Sequence, residues 1–323
     1  EMYRKSAAGE LSGLDAMLYP NVDWYDEVLK KSAPAQRYNV SVRGGTKRMR
    51  YYASAELYDQ KGLIKELSQD MYGNSSSPSY RRYAFRANMD LFLTKDLTFS
   101  VNFGTRFEER RGSNTSESST FSQTFYELNH TPGWLFPVSY EVQNGESAKT
   151  LYGGSSQYQS NIVAALAKGG YYRATNTINE TNFVLDYKMD WLTKGLSAKG
   201  MVSFDYDSYY KKMFKADFAT YELNDRDNYE SMDAYNQFNS DGELAYSKEN
   251  STTYKLYMEA QVNYARQFGK HDVTAMALYN QNDYRYNSEL AKRYQGLVGR
   301  VTYGYDDRYL AEFNAGYNGS ENF

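Results

Sequence analysis

The chain has 323 residues and a formal charge of -3 at pH 7. This charge, and the lack of any basic stripe, exclude a protein that binds nucleic acid through a basic surface. With no cysteine and with only His130 and His271, the sequence also lacks a disulfide framework and the residues for a His-based metal cluster or a Ser-His-Asp triad.

Tyrosine is unusually abundant, with 35 Tyr against 5 Pro and 3 Trp. The ring is apolar and the hydroxyl requires a polar partner, so tyrosine suits both membrane interfaces and sites for polar ligands. No run of 18 apolar residues occurs, which predicts that no transmembrane helix is present. A mean hydropathy of -0.78 does not exclude a membrane barrel, because half of each barrel strand faces a polar lumen.

Residues 1–37 are predicted to form a loop with one short helix near Trp24 to Lys30, because residues 1–36 show no two-residue period. Residues 38–323 are predicted to form a β-barrel wall segment of ten strands in five hairpins. The predicted strands lie near residues 38–44, 49–58, 80–93, 97–109, 176–191, 196–210, 252–268, 272–286, 294–305 and 308–317.

The hairpin of residues 80–109 carries the clearest pattern. From Tyr83 to Leu93 and from Leu97 to Phe107, one row of side chains is free of charge, while the other row carries Arg, Asn, Asp and Glu. Each arm has about 11 residues, whereas strands of soluble sheets cluster near 5 to 6 and transmembrane strands need about 9 to 11. Length favours a membrane, although a soluble sandwich would also exclude charge from its core face.

The connections separate the two possibilities. Odd-numbered connections are tight turns and even-numbered ones are longer, which places all short turns at one rim of an up-and-down barrel. A Greek-key sandwich would mix the loop lengths. The predicted fold is therefore all-β, an antiparallel up-and-down transmembrane β-barrel segment with long extracellular loops.

The alternating pattern is lost between Arg110 and about Thr175. Within this gap, residues 119–128 are predicted to form one or two helical turns, and residues 130–137 a rigid aromatic tip. The candidate substrate-binding residues are aromatic side chains that can stack on sugar rings or cover peptide side chains: Trp134, Phe136, Tyr140 and Tyr152. The alternative is that these rings pack against each other inside the loop.

The acidic residues do not form a recognisable site. Asp186, Asp190 and Asp205 are predicted to line a wet lumen rather than to act as general acids and bases. The acidic run of residues 224–230 has carboxylates at alternate positions, but it lacks the central glycine and the spacing of a calcium loop, which favours a solvated loop. No catalytic residue, metal ligand or cofactor is predicted.

Four stretches carry a family resemblance: residues 21–27 (NVDWYDE), 38–62 (YNVSVRGGTKRMRYYASAELYDQKG), 194–200 (KGLSAKG) and 294–323 (YQGLVGRVTYGYDDRYLAEFNAGYNGSENF). They resemble the TonB-dependent outer-membrane transporters of the SusC/RagA type. Gly296, Gly299-Arg300 and residues 303–309 are the most specific part of the match.

The resemblance implies a piece of a larger, 22-stranded barrel in the outer membrane of a Gram-negative bacterium. In the register of that family, residues 1–37 would be the first outer loop. It implies import of glycans or peptides, energised by the TonB complex through a plug, under a SusD-like surface lipoprotein. Neither a plug nor a TonB-contact segment is present in this sequence. We therefore expect an internal piece of the wall, bounded by outer-membrane lipid, with two sheet edges that await partners.

Two alternatives remain at this point. A soluble, secreted carbohydrate-binding or adhesive β protein would keep the tyrosines but bury the apolar rows, including Phe85, Val101, Leu185 and Val262, against a second sheet. An outer-membrane enzyme would need a clustered active site, for which the sequence offers little.

Overall fold

The computed structural model describes residues 1–67, 75, 77–114, 121–144 and 147–321. In chain order its elements are α1 (Met2–Ala7), α2 (Gly13–Leu18), α3 (Trp24–Val28), β1 (Ala35–Gly45), β2 (Met49–Lys61), β3 (Ser79–Phe92), β4 (Leu97–Ser113), α4 (Phe121–His130), β5 (Ser139–Asn144), β6 (Ser147–Tyr152), α5 (Ile162–Lys168), β7 (Gly170–Lys188), β8 (Leu196–Lys215), β9 (Thr220–Leu223), β10 (Tyr235–Phe238), β11 (Ala245–Phe268), β12 (His271–Tyr286), β13 (Lys292–Tyr305) and β14 (Tyr309–Ser320).

Ten of the strands form one antiparallel sheet in the order β1-β2-β3-β4-β7-β8-β11-β12-β13-β14. This confirms the predicted all-β fold with five antiparallel hairpins. The other four strands form two small sheets, β5-β6 and β9-β10, that belong to the connections. None of the helices in the described residues has the length and apolar content needed to cross a membrane.

Several boundaries differ from the predicted ones. β7 begins at Gly170 and β11 at Ala245, earlier than the predicted 176 and 252, because neither strand end shows a regular alternation of apolar and polar residues. Residues 189–191, predicted as strand, belong to a turn in which the Leu192 amide donates to the Met189 carbonyl at 2.9 Å. Residues 1–37 hold three helices rather than one, and β1 already begins at Ala35. The division at residue 37 stays a prediction.

The connections differ between the two ends of the sheet. Residues 46–48, 93–96, 189–195, 269–270 and 306–308 close the hairpins at one end. At the other end, residues 62–78, 114–169 and 216–244 form long connections, whereas residues 287–291 form a short one. The predicted asymmetry therefore holds for three of the four even-numbered connections.

The apolar face of the sheet is uncovered in the part of the chain that the structure describes. Phe85 is 43% exposed, Leu185 44% and Val262 47%. Neither small sheet joins or stacks on this wall, and the two buried clusters lie in the connections. A soluble sandwich would bury these side chains, so the arrangement favours an apolar face that meets lipid.

The edge of the apolar face runs obliquely across the strands. Across six successive strand pairings, Leu91 on β3 is in register with Leu297 on β13. Beyond Leu297 the next outward residue is Gln295, whereas β3 stays apolar as far as Tyr83, eight positions beyond Leu91. At about 3.3 Å per residue and about 4.8 Å between strands, this edge rises about 26 Å over about 29 Å of sheet width.

That slope corresponds to a strand tilt of about 42°, within the range of about 35–45° found in membrane barrels. With this tilt, the apolar row from Leu97 to Phe107 on β4 spans about 25 Å along the membrane normal, which is the usual height of the apolar band. The apolar face is therefore a level band when the strands tilt as barrel strands do.

Candidate functional site: the loop cap at the long-connection end

The packed core of the chain lies in the connections, which fold together into a unit that we call the loop cap (the described residues of 13–34, 63–67, 121–169 and 216–242). One buried cluster comprises Trp24, Val28, Ile64, Leu128, Phe136, Tyr152, Ile162, Val163, Ala164 and Leu166. A second comprises Tyr140, Val142, Leu151, Ala219, Tyr221, Ala234 and Tyr235. The sequence predicted loops here, with a short helix near Trp24 and one or two helical turns at residues 119–128. α4 confirms the predicted helical turns over residues 121–128; residues 119 and 120 lie outside the described residues.

Asn161 holds the first cluster together. Its side chain is fully buried and caps α5 by accepting hydrogen bonds from the amides of Val163 and Ala164 at 3.0 and 3.1 Å. Its amide group donates to the carbonyls of Val138 and Gly153 at 3.0 and 2.8 Å. One side chain therefore fixes the start of α5 relative to the ends of the β5-β6 hairpin.

α3 is joined to the segment after α4. Asp23 caps α3 by accepting from two amides at 3.0 Å each, and the helix buries Trp24 and Val28. The Val22 amide donates to the Gly133 carbonyl at 2.8 Å, and a Cβ at Gly133 would collide with the Val22 carbonyl. Glycine is therefore required at position 133 for this close approach.

Two polar pairs fasten the cap. Burial, followed by a hydrogen bond to the Glu127 carboxylate, raises the pKa of Tyr158 to about 12. For Asp241, burial opposes ionisation, but the Ala219 amide and the Lys168 ammonium outweigh it and lower the pKa of the carboxyl group. The Lys168 ammonium lies 3.1 Å from the Asp241 carboxylate and therefore joins α5 to the segment before β11.

The four predicted substrate-binding residues lie in this cap, but in different environments. Trp134 is 59% exposed, whereas Phe136 is 2%, Tyr140 4% and Tyr152 7% exposed. Phe136 packs on Trp24 with ring centroids 5.7 Å apart. Three of the four rings therefore belong to the packed interior, in line with the alternative that the rings pack inside the loop. Of the four, Trp134 alone presents its ring to solvent.

Other exposed rings, which the sequence did not single out, lie on the segments joined to Trp134. Tyr126 stacks on His130 with centroids 3.9 Å apart and an angle of 16°. The Tyr25 hydroxyl donates to the Asn129 side chain at 3.0 Å. The spacing of four residues between Tyr126 and His130 on α4 was a detectable signal, but the approach of α3 was not.

The predicted lumen carboxylates are only partly where they were expected. Asp186 and Asp205 point to the polar face of the sheet, each opposite a residue of the neighbouring strand. Asp190 instead lies in the turn after β7 and accepts from the Gly195 amide at 2.7 Å. That prediction is wrong for Asp190, because β7 ends at Lys188.

The acidic run of residues 224–230 forms a local turn. Asp225 accepts from the Asn228 side chain at 2.7 Å and from the Asp227 amide at 3.0 Å, and these bonds lower the pKa of its carboxyl group. Among the described residues, no three His, Cys, Asp or Glu side chains are grouped so as to hold a metal ion.

Comparison with known proteins finds similarity to a receptor by sequence and to solved structures by fold. No protein-family model matches the chain. A curated protein of Formosa agariphila, TonB-dependent receptor P26, is 32% identical over 91 residues, which are 28% of this chain and 8% of the receptor. Two solved structures have a similar fold: the RagAB peptide transporter (TM-score 0.65, 15% identity, 94% of this chain and 34% of that one) and the RagAB peptide importer in the "open-open" state (TM-score 0.66, 15% identity, 95% and 34%).

The predicted resemblance to SusC/RagA-type barrels is confirmed. The fold is that of a wall segment of an antiparallel transmembrane β-barrel, and the chain spans about a third of the RagAB chains that it matches. The similar proteins are described as a receptor, a transporter and an importer, not as enzymes.

Proposed function

We propose that the whole protein is a TonB-dependent transporter of a Gram-negative outer membrane that imports glycans or peptides. In it, this chain supplies barrel wall and the loops of the substrate vestibule. The observation that carries the proposal is the exposed apolar band, level at a strand tilt of about 42°, on a sheet whose other face is polar. The receptor likeness over 91 residues supports it independently.

The SusC/RagA resemblance extends the proposal to partners. Energy would come from the TonB complex through a plug region outside this chain, and a SusD-like surface lipoprotein would cover the outer mouth. The barrel exterior contacts outer-membrane lipid. We propose no catalytic centre, cofactor or nucleic-acid partner for this protein.

The loop cap is the part of the chain suited to meet substrate, because it lies at the rim with the long connections. We propose that Trp134 contacts the substrate directly, together with the exposed rings of Tyr25 and Tyr126. Phe136, Tyr140 and Tyr152 support this surface from below, since their rings are buried.

Uptake measurements in the native bacterium test the transport proposal. Cells with and without the gene are supplied with a labelled oligosaccharide mixture or a labelled peptide mixture, with and without a protonophore. We expect the deletion to abolish accumulation of one of the two mixtures. The protonophore should abolish accumulation of that same mixture in the parent strain. Equal accumulation in deletion and parent strains, for both mixtures, would contradict the proposal.

A matched pair of exposed tryptophans tests the vestibule. Trp134 lies in the loop cap, whereas Trp191 is 70% exposed in a turn at the opposite rim. Since an aromatic contact contributes about 0.5–1.5 kcal/mol, Trp134→Ala should weaken binding of the transported mixture about 2- to 12-fold, with Trp134→Phe retaining most of it. Trp191→Ala should leave binding unchanged. Equal effects of the two alanine variants would show that Trp134 does not contact the substrate.

A further inference from the structure

A row of polar and basic residues continues the outward face beyond the apolar band, at the end with the long connections. The row crosses four neighbouring strands, with each residue directly opposite the next: Lys61 on β2, Ser79 on β3, Arg111 on β4 and Arg173 on β7. Each lies an even number of positions from the outward residues of its strand, as Arg111 does from Phe107. These side chains therefore leave the sheet on the side that faces lipid.

The heights of Lys61 and Arg111 place these two residues close to lipid headgroups. Arg111 lies four positions beyond Phe107, or about 13 Å along the strand and about 10 Å along the membrane normal at the tilt found above. Lys61 likewise lies four positions beyond Leu57, the last apolar residue in the outward row of β2, and therefore at about the same height above the band. The headgroup layer of one leaflet is about 5–8 Å thick, and long basic side chains can bend back toward it while their alkyl chains stay on apolar surface.

The row also lines a cavity of about 340 Å³. Four basic side chains border it, those of Lys30, Lys61, Arg111 and Arg173, together with the hydroxyl groups of Ser77 and Ser79 and one acid, Glu66. Guanidinium, ammonium and hydroxyl donors directed into one cavity are the donor set that binds phosphate groups.

Acidic neighbours neutralise part of this charge. Glu109 pairs with Arg111 and lies 3.9 Å from Arg173, and Asp59 lies 3.8 Å from Lys61. With Glu66 these make three acids against four basic residues, so the cavity keeps a positive balance. The side chains of Lys61, Arg111 and Arg173 are still between 45% and 49% exposed, which leaves them accessible to a ligand.

We propose that this cavity binds the phosphate group of an anionic lipid of the outer leaflet, with Lys61 and Arg111 as its main contacts. The lipid's acyl chains then lie along the apolar band below, beside Tyr83 and Phe107. The proposal depends on the outward orientation of the band and not on transport, so it can fail while the transport proposal stands.

Native mass spectrometry of the whole protein in a neutral detergent tests the proposal, with diphosphorylated lipid A as the probe. Lys61→Gln/Arg111→Gln should bind lipid A about 30-fold more weakly than the parent protein. Each basic residue near an anionic surface strengthens binding about 5-fold, and the variant removes two of them. The charge-conserving variant Lys61→Arg/Arg111→Lys should bind within about 3-fold of the parent. Dephosphorylated lipid A should bind the parent as weakly as diphosphorylated lipid A binds the glutamine variant.

A matched control removes the same charge from the other face of the same sheet. Arg86 and Arg106 lie on β3 and β4 at positions of the opposite alternation, and Arg86→Gln/Arg106→Gln should leave lipid A binding unchanged. Equal weakening by both glutamine pairs, or none by either, would overturn the proposal. Displacement of lipid A by millimolar inorganic phosphate would also overturn it, since the cavity would then be a site for free phosphate.

Discussion

The apolar band predicts how strongly a charge should destabilise the barrel at each depth. Val202 is an outward residue of β8, 42% exposed, and stands between Phe183 on β7 and Met258 on β11. It lies near the middle of the outward apolar row of β8, which runs from Leu196 to Tyr206. A basic residue at mid-bilayer on the lipid face costs about 2–4 kcal/mol, so Val202→Arg should lower the free energy of unfolding by that amount.

Neighbouring positions provide the controls. Ser203→Arg changes the next residue, which points to the polar face, and Ser208→Arg lies outward but beyond Tyr206, near the interface. Both should cost no more than about 1 kcal/mol. Val202→Ala measures the loss of packing alone.

The measurement is the denaturant dependence of folding for the whole protein in phospholipid vesicles. The variants are compared by their free energies of unfolding at equal slope. If Val202→Arg and Ser203→Arg agree within about 0.5 kcal/mol, the two faces of the wall are not in different solvents, and the membrane interpretation of the sheet is refuted.

The loop cap supports three further predictions. Asn161→Ala removes a helix cap and leaves the partly buried Val138 carbonyl and the buried Gly153 carbonyl without their donor, so hydrogen exchange should show α5 opening about 2–4 kcal/mol more easily, while the amides of β8 stay protected. Because folding lowers the pKa of Asp241, the stabilisation by its pair with Lys168 is full above the unfolded pKa, near 4. It should be lost as the pH falls through the folded value, and Lys168→Gln should reduce this acid sensitivity. Because folding raises the pKa of Tyr158 to about 12, the contribution of its hydroxyl to folding stability is full below about pH 10 and should be lost by about pH 12. Tyr158→Phe should abolish this loss of stability at alkaline pH, and absorbance at alkaline pH measures the titration.

The small sheets show where local sequence patterns stop being informative. The β5-β6 hairpin and the β9-β10 pair have strands of six and four residues, too short for a two-residue period to stand out. They are held by distant contacts, such as Tyr140 against Tyr235 at 4.9 Å and the Gly154 amide to the Tyr221 carbonyl at 2.9 Å. No local pattern in the sequence encodes which of these segments meet.

In the candidate site, too, local sequence patterns predicted some features, whereas contacts between distant residues determined the others. The aromatic composition of residues 130–137 predicted a rigid tip, but it did not separate the exposed Trp134 from the buried Phe136, two positions away. Burial at Phe136 depends on Trp24, more than a hundred residues earlier. The cavity bordered by Lys61 and Arg111 likewise exists because β2 and β4 both pair with β3.

The order of amino acids was enough to predict the long strands, their two faces and the tight hairpin turns. The reason is that successive side chains of a strand must leave opposite faces, so a long strand in lipid carries its environment in its own alternation. The slope of the apolar edge, the packing of the loop cap and the exposure of each aromatic ring became visible only in the folded chain. These depend on the register between strands and on contacts between residues far apart in the chain, and neither leaves a periodic signal in the amino-acid order.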